Sequence, residues 1–273
     1  MKNRIEVVGA AIVKDGRILA LRRSDGIDQV KHKFEFAGGK VEKGETHYQA
    51  LMRECMEELS LEIEVGDFLN KIEYEYPDLS VCLSIYFVKP LSGFELKVHE
   101  EARWMDYTAL DAAEWAPADR TFLNSLKSGF IKFRKAQNSD VSVIREIANS
   151  VIADPQKSVN IIENVFFAEN VFIVNFNGED AGFFAYSPSS DYDRDLTDDG
   201  TYVTHMYLKQ FARNKKIMTK FLANLPRPVY IEILRENITV VNILKHVGFR
   251  ILKTVKGSSA DGINDNGFLM VLN

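Results

Sequence analysis

The sequence lacks the features that mark disulfide-stapled, membrane-spanning or duplex-binding proteins. It has only two cysteines, Cys55 and Cys82, and their spacing matches no zinc motif, so neither a disulfide framework nor a zinc site is expected. No apolar run reaches the length of a membrane-spanning helix, and the first residues do not have the form of a signal peptide. The net charge of −5 offers no general basic surface to a nucleic acid duplex. We therefore expect a cytoplasmic protein without a membrane or duplex partner.

What is present is an ordinary globular composition, with 46% apolar and 27% charged residues in a chain of 273. A chain of this length is expected to form two domains rather than one. Strand-like and helix-like stretches alternate throughout, and the pattern restarts near Gly129. The sequence thus predicts two α/β (α+β) domains, at residues 1–129 and 130–273.

An acidic helix is predicted within residues 38–61, directly after a glycine-rich turn. Glu54, Glu57 and Glu58 stand at i, i+3 and i+4, so their carboxylates project from one helical face. Oxygen ligands of this kind select Mg²⁺ or Mn²⁺. A solvated acidic face is the alternative interpretation. A separate apolar arc predicts packing against a sheet and consists of Tyr48, Leu51, Cys55 and Leu59.

The spacing of residues across this segment resembles the signature of the Nudix hydrolases. The matching positions are Gly39, Glu45, Arg53, Glu54, Cys55, Glu57, Glu58 and Leu61. The one departure is Ser60, where the family usually has glycine at the helix end. Serine must then either adopt or avoid the left-handed conformation.

The resemblance implies an α/β/α sandwich with a mixed sheet, and hydrolysis of a nucleotide by water that attacks phosphorus. It implies a Mg²⁺ (or Mn²⁺) site formed by Gly39, through its backbone carbonyl, and by Glu54, Glu57 and Glu58. Glu54 is the first choice for general base or for ligand of the attacking water. Arg53 is expected to orient the carboxylates, and Glu45 to support the loop or an outer metal.

A second segment narrows the resemblance to the MutT-type branch, which includes CTP pyrophosphohydrolases and 8-oxo-dGTP diphosphatases. This segment, residues 115–119, has the form tryptophan-x-proline-alanine-aspartate. The likeness places Asp119 against the nucleobase, where it could accept from an exocyclic amine of guanine or of cytosine. The alternative is that Asp119 caps a helix. Arg23 and Lys40 are further candidates for substrate binding, since cationic side chains near a nucleotide clamp phosphate.

A functional glutamate that many relatives carry shortly before the tryptophan matching Trp104 is absent here, because that position is Val98. Glu100 and Glu101 are near enough to substitute. The sequence leaves open which of them contributes.

The second half resembles the GNAT acetyltransferases in its predicted order of elements. Helices are predicted at 141–151, 214–224 and 238–247, and strands at 171–176, 181–186, 201–209, 228–234, 249–256 and 267–272. Residues 207–218 occupy the place of the family's pyrophosphate loop, and 237–249 resemble its asparagine-to-Gly-Phe segment. The acidic loop Ser189–Gly200 lacks the spacing of a calcium loop and is predicted to be solvated.

The departures from the GNAT pattern predict a degenerate domain. Lys216 and Met218 replace loop glycines, and Leu244 replaces the tyrosine that often acts as general acid. Basic side chains remain as candidates for CoA or phosphate binding, namely Arg213, Lys215 and Lys216, although a solvated basic helix is the favoured alternative. A structural, dimerising or substrate-shaping role is favoured over acetyl-CoA binding or acetyl transfer, and a homodimer is left open.

Two functional hypotheses follow for the whole chain. The first is a Mg²⁺-dependent nucleoside triphosphate pyrophosphohydrolase with an accessory domain. The second is a nucleotide-sensing or regulatory protein, or a bifunctional hydrolase and N-acetyltransferase. The intact set of Arg53, Glu54, Glu57 and Glu58 favours the enzyme, because a sensor does not need all of them.

Overall fold

The computed structural model describes residues 3–191, 200–213, 216–258 and 264–273. The chain divides into two compact units. The first comprises Met1–Ile131 with Phe176–Glu179, and the second comprises Lys132–Asn175 with Asp180–Asn273. Each unit contains one seven-stranded sheet, so the chain is a mixed α/β protein.

The first sheet is mixed, with most of its strand pairs antiparallel. Its strands are β1 (Asn3–Lys14), β2 (Arg17–Arg22), β3 (Phe34–Glu35), β4 (Ala37–Lys40), β5 (Ile63–Glu75), β6 (Leu79–Pro90) and β7 (Glu101–Asp106). They run in the order β3-β2-β1-β6-β5, with β4 paired to β1 and β7 paired to β2. β1 and β6 are parallel along their length, from the pair Asn3–Leu79 to the pair Ile12–Val88.

Helix α1 (His47–Leu59) packs its apolar face on this sheet. Thr46 begins it with a capping box, in which the Thr46 hydroxyl accepts from the Gln49 N–H and the Gln49 side chain accepts from the Thr46 N–H. Ser60 ends it in the left-handed conformation, at φ 48° and ψ 36°. Serine thus adopts the strained cap geometry that glycine would provide without a steric cost.

The buried face of α1 consists of Ala50, Leu51, Cys55 and Leu59. Tyr48 is 53% exposed, so the prediction that it packs in the core is wrong. It lies in the first turn of the helix, at the edge of the helix–sheet contact. There its ring contacts Tyr86, with 5.7 Å between the ring centroids.

The sequence of residues 107–114 favours a single short helix, but the segment after β7 consists of short turns. Two 3-10 segments, Tyr107–Ala109 and Ala112–Glu114, are separated by extended backbone at Leu110 and Asp111. Asp106 and Asp111 each cap the segment that follows, and capping aspartates favour two short starts over one continuous helix. A further 3-10 segment, Asp119–Phe122, leads into helix α2 (Leu123–Ser128).

The second unit has its own mixed sheet, flanked by four helices among the described residues. Its strands are β8 (Ile131–Lys135), β9 (Asn170–Phe176), β10 (Glu179–Pro188), β11 (Thr201–Leu208), β12 (Val229–Leu234), β13 (Arg250–Ser258) and β14 (Asn264–Leu272). Its helices are α3 (Val141–Val151), α4 (Pro155–Val165), α5 (Ile217–Ala223) and α6 (Ile238–Val247). The strand order is β13-β14-β12-β11-β10-β9-β8, and β11 and β12 are parallel.

Two differences from the sequence-based expectation concern helices of this unit. Helix α4 was not predicted, although Asp154 caps it and Pro155 occupies its first turn, which is a common start signal. Helix α5 begins at Ile217, and the predicted start at 214 lies outside the described residues. Most of the predicted acidic loop, residues 192–199, lies outside the described residues. No helix in the described ranges is long and apolar enough to cross a membrane.

Candidate active site

Arg53 joins helix α1 to the loop that precedes it. Its guanidinium donates to both carboxylate oxygens of Glu45 at 3.0 Å and to Glu54 Oε1 at 2.8 Å. It also reaches Glu57 Oε2 at 3.3 Å and the Lys40 carbonyl at 3.0 Å. The carboxylates of Glu45 and Glu54 raise the pKa of Arg53, so the guanidinium stays charged. Arg53 thereby fixes the position of carboxylates that would otherwise repel one another.

The Gly38–Gly39 backbone lies directly against the acidic face of α1. A Cβ atom placed on Gly39 would stand 2.2 Å from Glu54 Oε1, and one placed on Gly38 would stand 2.1 Å from the Val8 carbonyl oxygen. The Gly38 N–H donates to Glu58 Oε2 at 3.1 Å. Gly38 is therefore required by the close approach of its backbone to β1, whereas Gly39 leaves room for the Glu54 carboxylate in its present position.

The carboxylate of Glu58 is held in a buried position. Burial raises the pKa of Glu58 to about 7, against the opposing effects of His99 and of the Gly38 N–H. Glu57, in contrast, is 60% exposed on its side chain and contacts Arg53. The two carboxylates next to the glycine strand are thus Glu54 and Glu58, with Glu57 at the outer side.

The donor set at this place fits a hard divalent cation. Carboxylate oxygens from Glu54 and Glu58 flank the Gly39 backbone, and oxygen-only ligation suits Mg²⁺ or Mn²⁺. Within the described residues, no group of three or more His, Cys, Asp or Glu side chains stands ready to hold a metal. A cation here would draw in Glu57 from Arg53 or would complete its shell with water and phosphate oxygens.

A cavity of about 650 Å³, a size typical of small-molecule sites, reaches the Gly38–Gly39 backbone that contacts these carboxylates. Its lining includes the Gly38–Lys40 strand next to α1, the 26–30 loop and the 76–79 turn. Arg23 and Asp119 also line it. The sequence-predicted substrate residues Arg23, Lys40 and Asp119 are therefore brought to one cavity from three separate parts of the first unit.

Asp119 is buried, and its Oδ1 accepts the Phe36 N–H at 3.1 Å. Burial, followed by repulsion from Glu35, raises the pKa of Asp119 above its ordinary value. The alternative that Asp119 serves as a helix N-cap is wrong, because Asp119 is the first residue inside its 3-10 segment and the cap position is Ala118. Trp115 anchors this segment by packing on Phe36, with 5.0 Å between ring centroids.

The two arginines at the end of β2 have different surroundings. Arg22 pairs with Glu101 on β7 at 2.9 Å, whereas Arg23 pairs with Glu35 at 2.9 Å and lines the cavity. Of the two glutamates considered as substitutes at the Val98 position, Glu101 is thus bound to Arg22. Glu100 lies 3.1 Å from His32.

Two residues of this site were not found by sequence reasoning. Glu35 lines the cavity and contacts His99, whose side chain is only 4% exposed. Glu35 did carry a signal, because a charged residue stands there between two phenylalanines just before the glycine strand. Nothing in the sequence singled out His99, because a histidine next to two glutamates is typical of a solvated loop.

The candidate phosphate residues of the second unit lie at a different cavity, of about 710 Å³. Arg213 and Lys216 line it, and Lys215 lies outside the described residues. Arg213 Nε donates to the Leu208 carbonyl at 3.1 Å. Leu244 is completely buried in the core.

The first unit is similar in sequence to known proteins. The family model described as the NUDIX domain matches residues 3–126. The CTP pyrophosphohydrolase of Escherichia coli (strain K12) is 36% identical over 138 residues, which cover 50% of this chain and 98% of that protein. The 8-oxo-dGTP diphosphatase of the same strain is 32% identical over 128 residues, covering 46% and 98%.

Among solved structures, the solution structure of the E. coli ORF135 protein matches with a TM-score of 0.41 and 34% identity, over 45% of this chain and 88% of that one. The chain belongs to the Nudix hydrolase family, and its N-terminal half is a pyrophosphohydrolase domain related to the MutT-type enzymes.

Proposed function

We propose that the protein is a divalent-metal-dependent nucleoside triphosphate pyrophosphohydrolase of the MutT type, which releases a nucleoside monophosphate and pyrophosphate. The observation that carries the proposal is the single cavity whose lining combines Asp119 with the Gly38–Lys40 strand, next to Glu54 and Glu58. The cavity therefore offers a polar group for a base at Asp119, and it shares the Gly38–Lys40 strand with the candidate cation site for phosphates.

Each residue has a defined part in this proposal. Glu54 binds and orients the attacking water and is placed to accept its proton, while Arg53 holds the Glu54 carboxylate in position. Arg23 and Lys40 bind phosphate oxygens. When bound by Glu54, Glu57, Glu58 and the Gly39 carbonyl, Mg²⁺ or Mn²⁺ supplies Lewis-acid stabilisation of phosphate charge. Glu45 supports the loop through Arg53.

The proposed substrate is 8-oxo-dGTP or a CTP- or dCTP-like triphosphate. The names of the relatives point to these two classes. Because burial raises the pKa of Asp119, its carboxyl group retains a proton more readily than an exposed aspartate and can donate as well as accept. Both oxidised guanine and cytosine present an exocyclic amine and a carbonyl to such a group.

The test is pyrophosphate release by the full chain from a panel of canonical and oxidised nucleoside triphosphates, with Mg²⁺ and with chelator. We expect metal-dependent turnover of one class, and a loss of about 100-fold or more in kcat for Glu54→Gln. Glu64→Gln, which changes an exposed carboxylate on β5, is the matched control and should keep wild-type turnover. Unchanged turnover in Glu54→Gln would refute the mechanism, and nucleotide binding without turnover would favour the sensing function.

We further propose that the second unit is a degenerate GNAT-like domain with an accessory role. In support, β11 pairs with β12 only from Thr201 to Val203, and the 710 Å³ cavity is lined by residues beyond this pairing. Leu244 is buried where the resemblance would need a proton donor. Calorimetric titration of the full chain with acetyl-CoA tests this role, and binding at micromolar concentration would overturn it.

A further inference from the structure

His99 is a buried histidine in the loop between β6 and β7. Backbone hydrogen bonds hold this loop on both sides of His99, because the Lys97 N–H donates to the Glu58 carbonyl at 2.9 Å and the Glu100 N–H donates to the Arg22 carbonyl at 3.0 Å. With its side chain only 4% exposed, the imidazole has little freedom to move. Its position is thus determined by α1 and β2 together.

The imidazole contacts a residue of the substrate cavity. Nε2 of His99 lies 2.9 Å from Glu35 Oε1. The other carboxylate oxygen of Glu35, Oε2, accepts from Arg23 Nη1 at 2.9 Å. Glu35 and Arg23 both line the 650 Å³ cavity, whereas His99 does not belong to the described residues that line it. His99 therefore reaches the cavity through Glu35.

The two ring nitrogens of His99 differ in their surroundings. Nδ1 of His99 is buried and has no hydrogen-bond partner among the described residues. An apolar residue at this position would leave the largely buried Glu35 Oε1 without this donor, so the contact with Glu35 requires a polar group at position 99. The contact that remains is the one at Nε2, which, as the protonated nitrogen, donates to the Glu35 carboxylate.

We propose that His99 is a positioning residue for substrate binding. Through Nε2 it holds the Glu35 carboxylate, and through Glu35 it holds the Arg23 guanidinium in the orientation that binds the substrate. This inference rests on the proposed pyrophosphohydrolase function of the same cavity. It assigns to His99 an effect on binding that passes through Glu35 and Arg23, neither of which is part of the acidic face of α1.

A pair of variants distinguishes the role of Nε2 from that of Nδ1. The amide nitrogen of glutamine in His99→Gln occupies about the place of Nε2, whereas that of asparagine in His99→Asn occupies about the place of Nδ1. We expect His99→Asn to raise KM for the triphosphate about tenfold or more, with kcat within about twofold of wild type. His99→Gln should keep KM within about threefold of wild type, because it still donates to Glu35.

A double variant links the effect to Glu35. If His99 acts through Glu35, adding His99→Asn to Glu35→Gln should raise KM no further than Glu35→Gln alone. Additive effects would overturn the proposed route. Thermal midpoints of all variants accompany the kinetics, since a purely structural role would lower the midpoint in both His99 variants and leave the KM of the folded fraction unchanged.

Other outcomes also decide against the inference. Equal KM in His99→Asn and wild type, equal defects in both His99 variants, or a fall in kcat at constant KM would each overturn it. The dissociation constant of the same triphosphate in the absence of divalent cation gives a readout without turnover, and it should rise in His99→Asn only. A wild-type chain that neither binds nor hydrolyses any triphosphate would instead overturn the proposed function itself, and the inference with it.

Discussion

Gly39→Ala adds one methyl group at the place where the glycine strand meets the acidic helix. The new Cβ would lie 2.2 Å from Glu54 Oε1, 2.5 Å from its Cδ and 2.7 Å from its Oε2. Ordinary van der Waals contacts are roughly 3.5 Å or longer, so the Glu54 carboxylate must move by roughly 1 Å. Gly39 is not among the glycines with positive φ, and alanine therefore fits its backbone conformation.

The displaced group is the end of a flexible side chain, so the fold should be preserved while the site is damaged. The Arg53 Nη1–Glu54 Oε1 hydrogen bond of 2.8 Å would be lost or lengthened. Because a misplacement of about 1 Å in a catalytic group can cost about 100-fold in rate, we expect kcat/KM to fall by about that factor. The thermal midpoint should change little.

The assay is kcat/KM for the triphosphate that the wild-type chain hydrolyses, together with a thermal unfolding curve for each variant. Gly93→Ala is the control, because a Cβ at Gly93 would meet no atom within 4 Å and the same chemical change is made there without a collision. A folded Gly39→Ala protein with kcat/KM within about threefold of wild type would show that Glu54 does not act from its place against Gly39.

Two further predictions concern stability against pH. Burial raises the pKa of Asp119 above 3.8, so the folded chain keeps a proton that the unfolded chain releases and is destabilised as pH rises. Asp119→Asn should therefore lose less thermal stability than wild type from about pH 5 to about pH 8, and an equal loss would contradict the buried carboxyl group. Burial lowers the pKa of His205 from 6.5 to about 4, so stability present above pH 6.5 is lost on acidification. His205→Gln should flatten the fall in thermal midpoint between about pH 7 and about pH 4.5, and a parallel pH profile would refute this.

The local sequence was sufficient to predict an element wherever neighbouring residues control its structure. The start of α1 at Thr46 and the spacing of Glu54, Glu57 and Glu58 follow from capping and from helical periodicity. The extended segment around Leu110, between two capping aspartates, shows the limit of the same reasoning. The sequence of residues 107–114 favours one short helix, whereas competing local hydrogen bonds produce two short turns.

By itself the sequence determined the family of the first unit, its acidic helix and the residue types of its site, because these depend on short-range spacing. Only the tertiary structure decided that Asp119 accepts from Phe36 and that His99 contacts Glu35, pairs separated by 83 and 64 positions in the chain. It also decided that Tyr48 stays exposed while Leu51 is buried. The physical reason is that burial and long-range hydrogen bonds depend on how strands and loops pack, which periodicity along one segment does not encode.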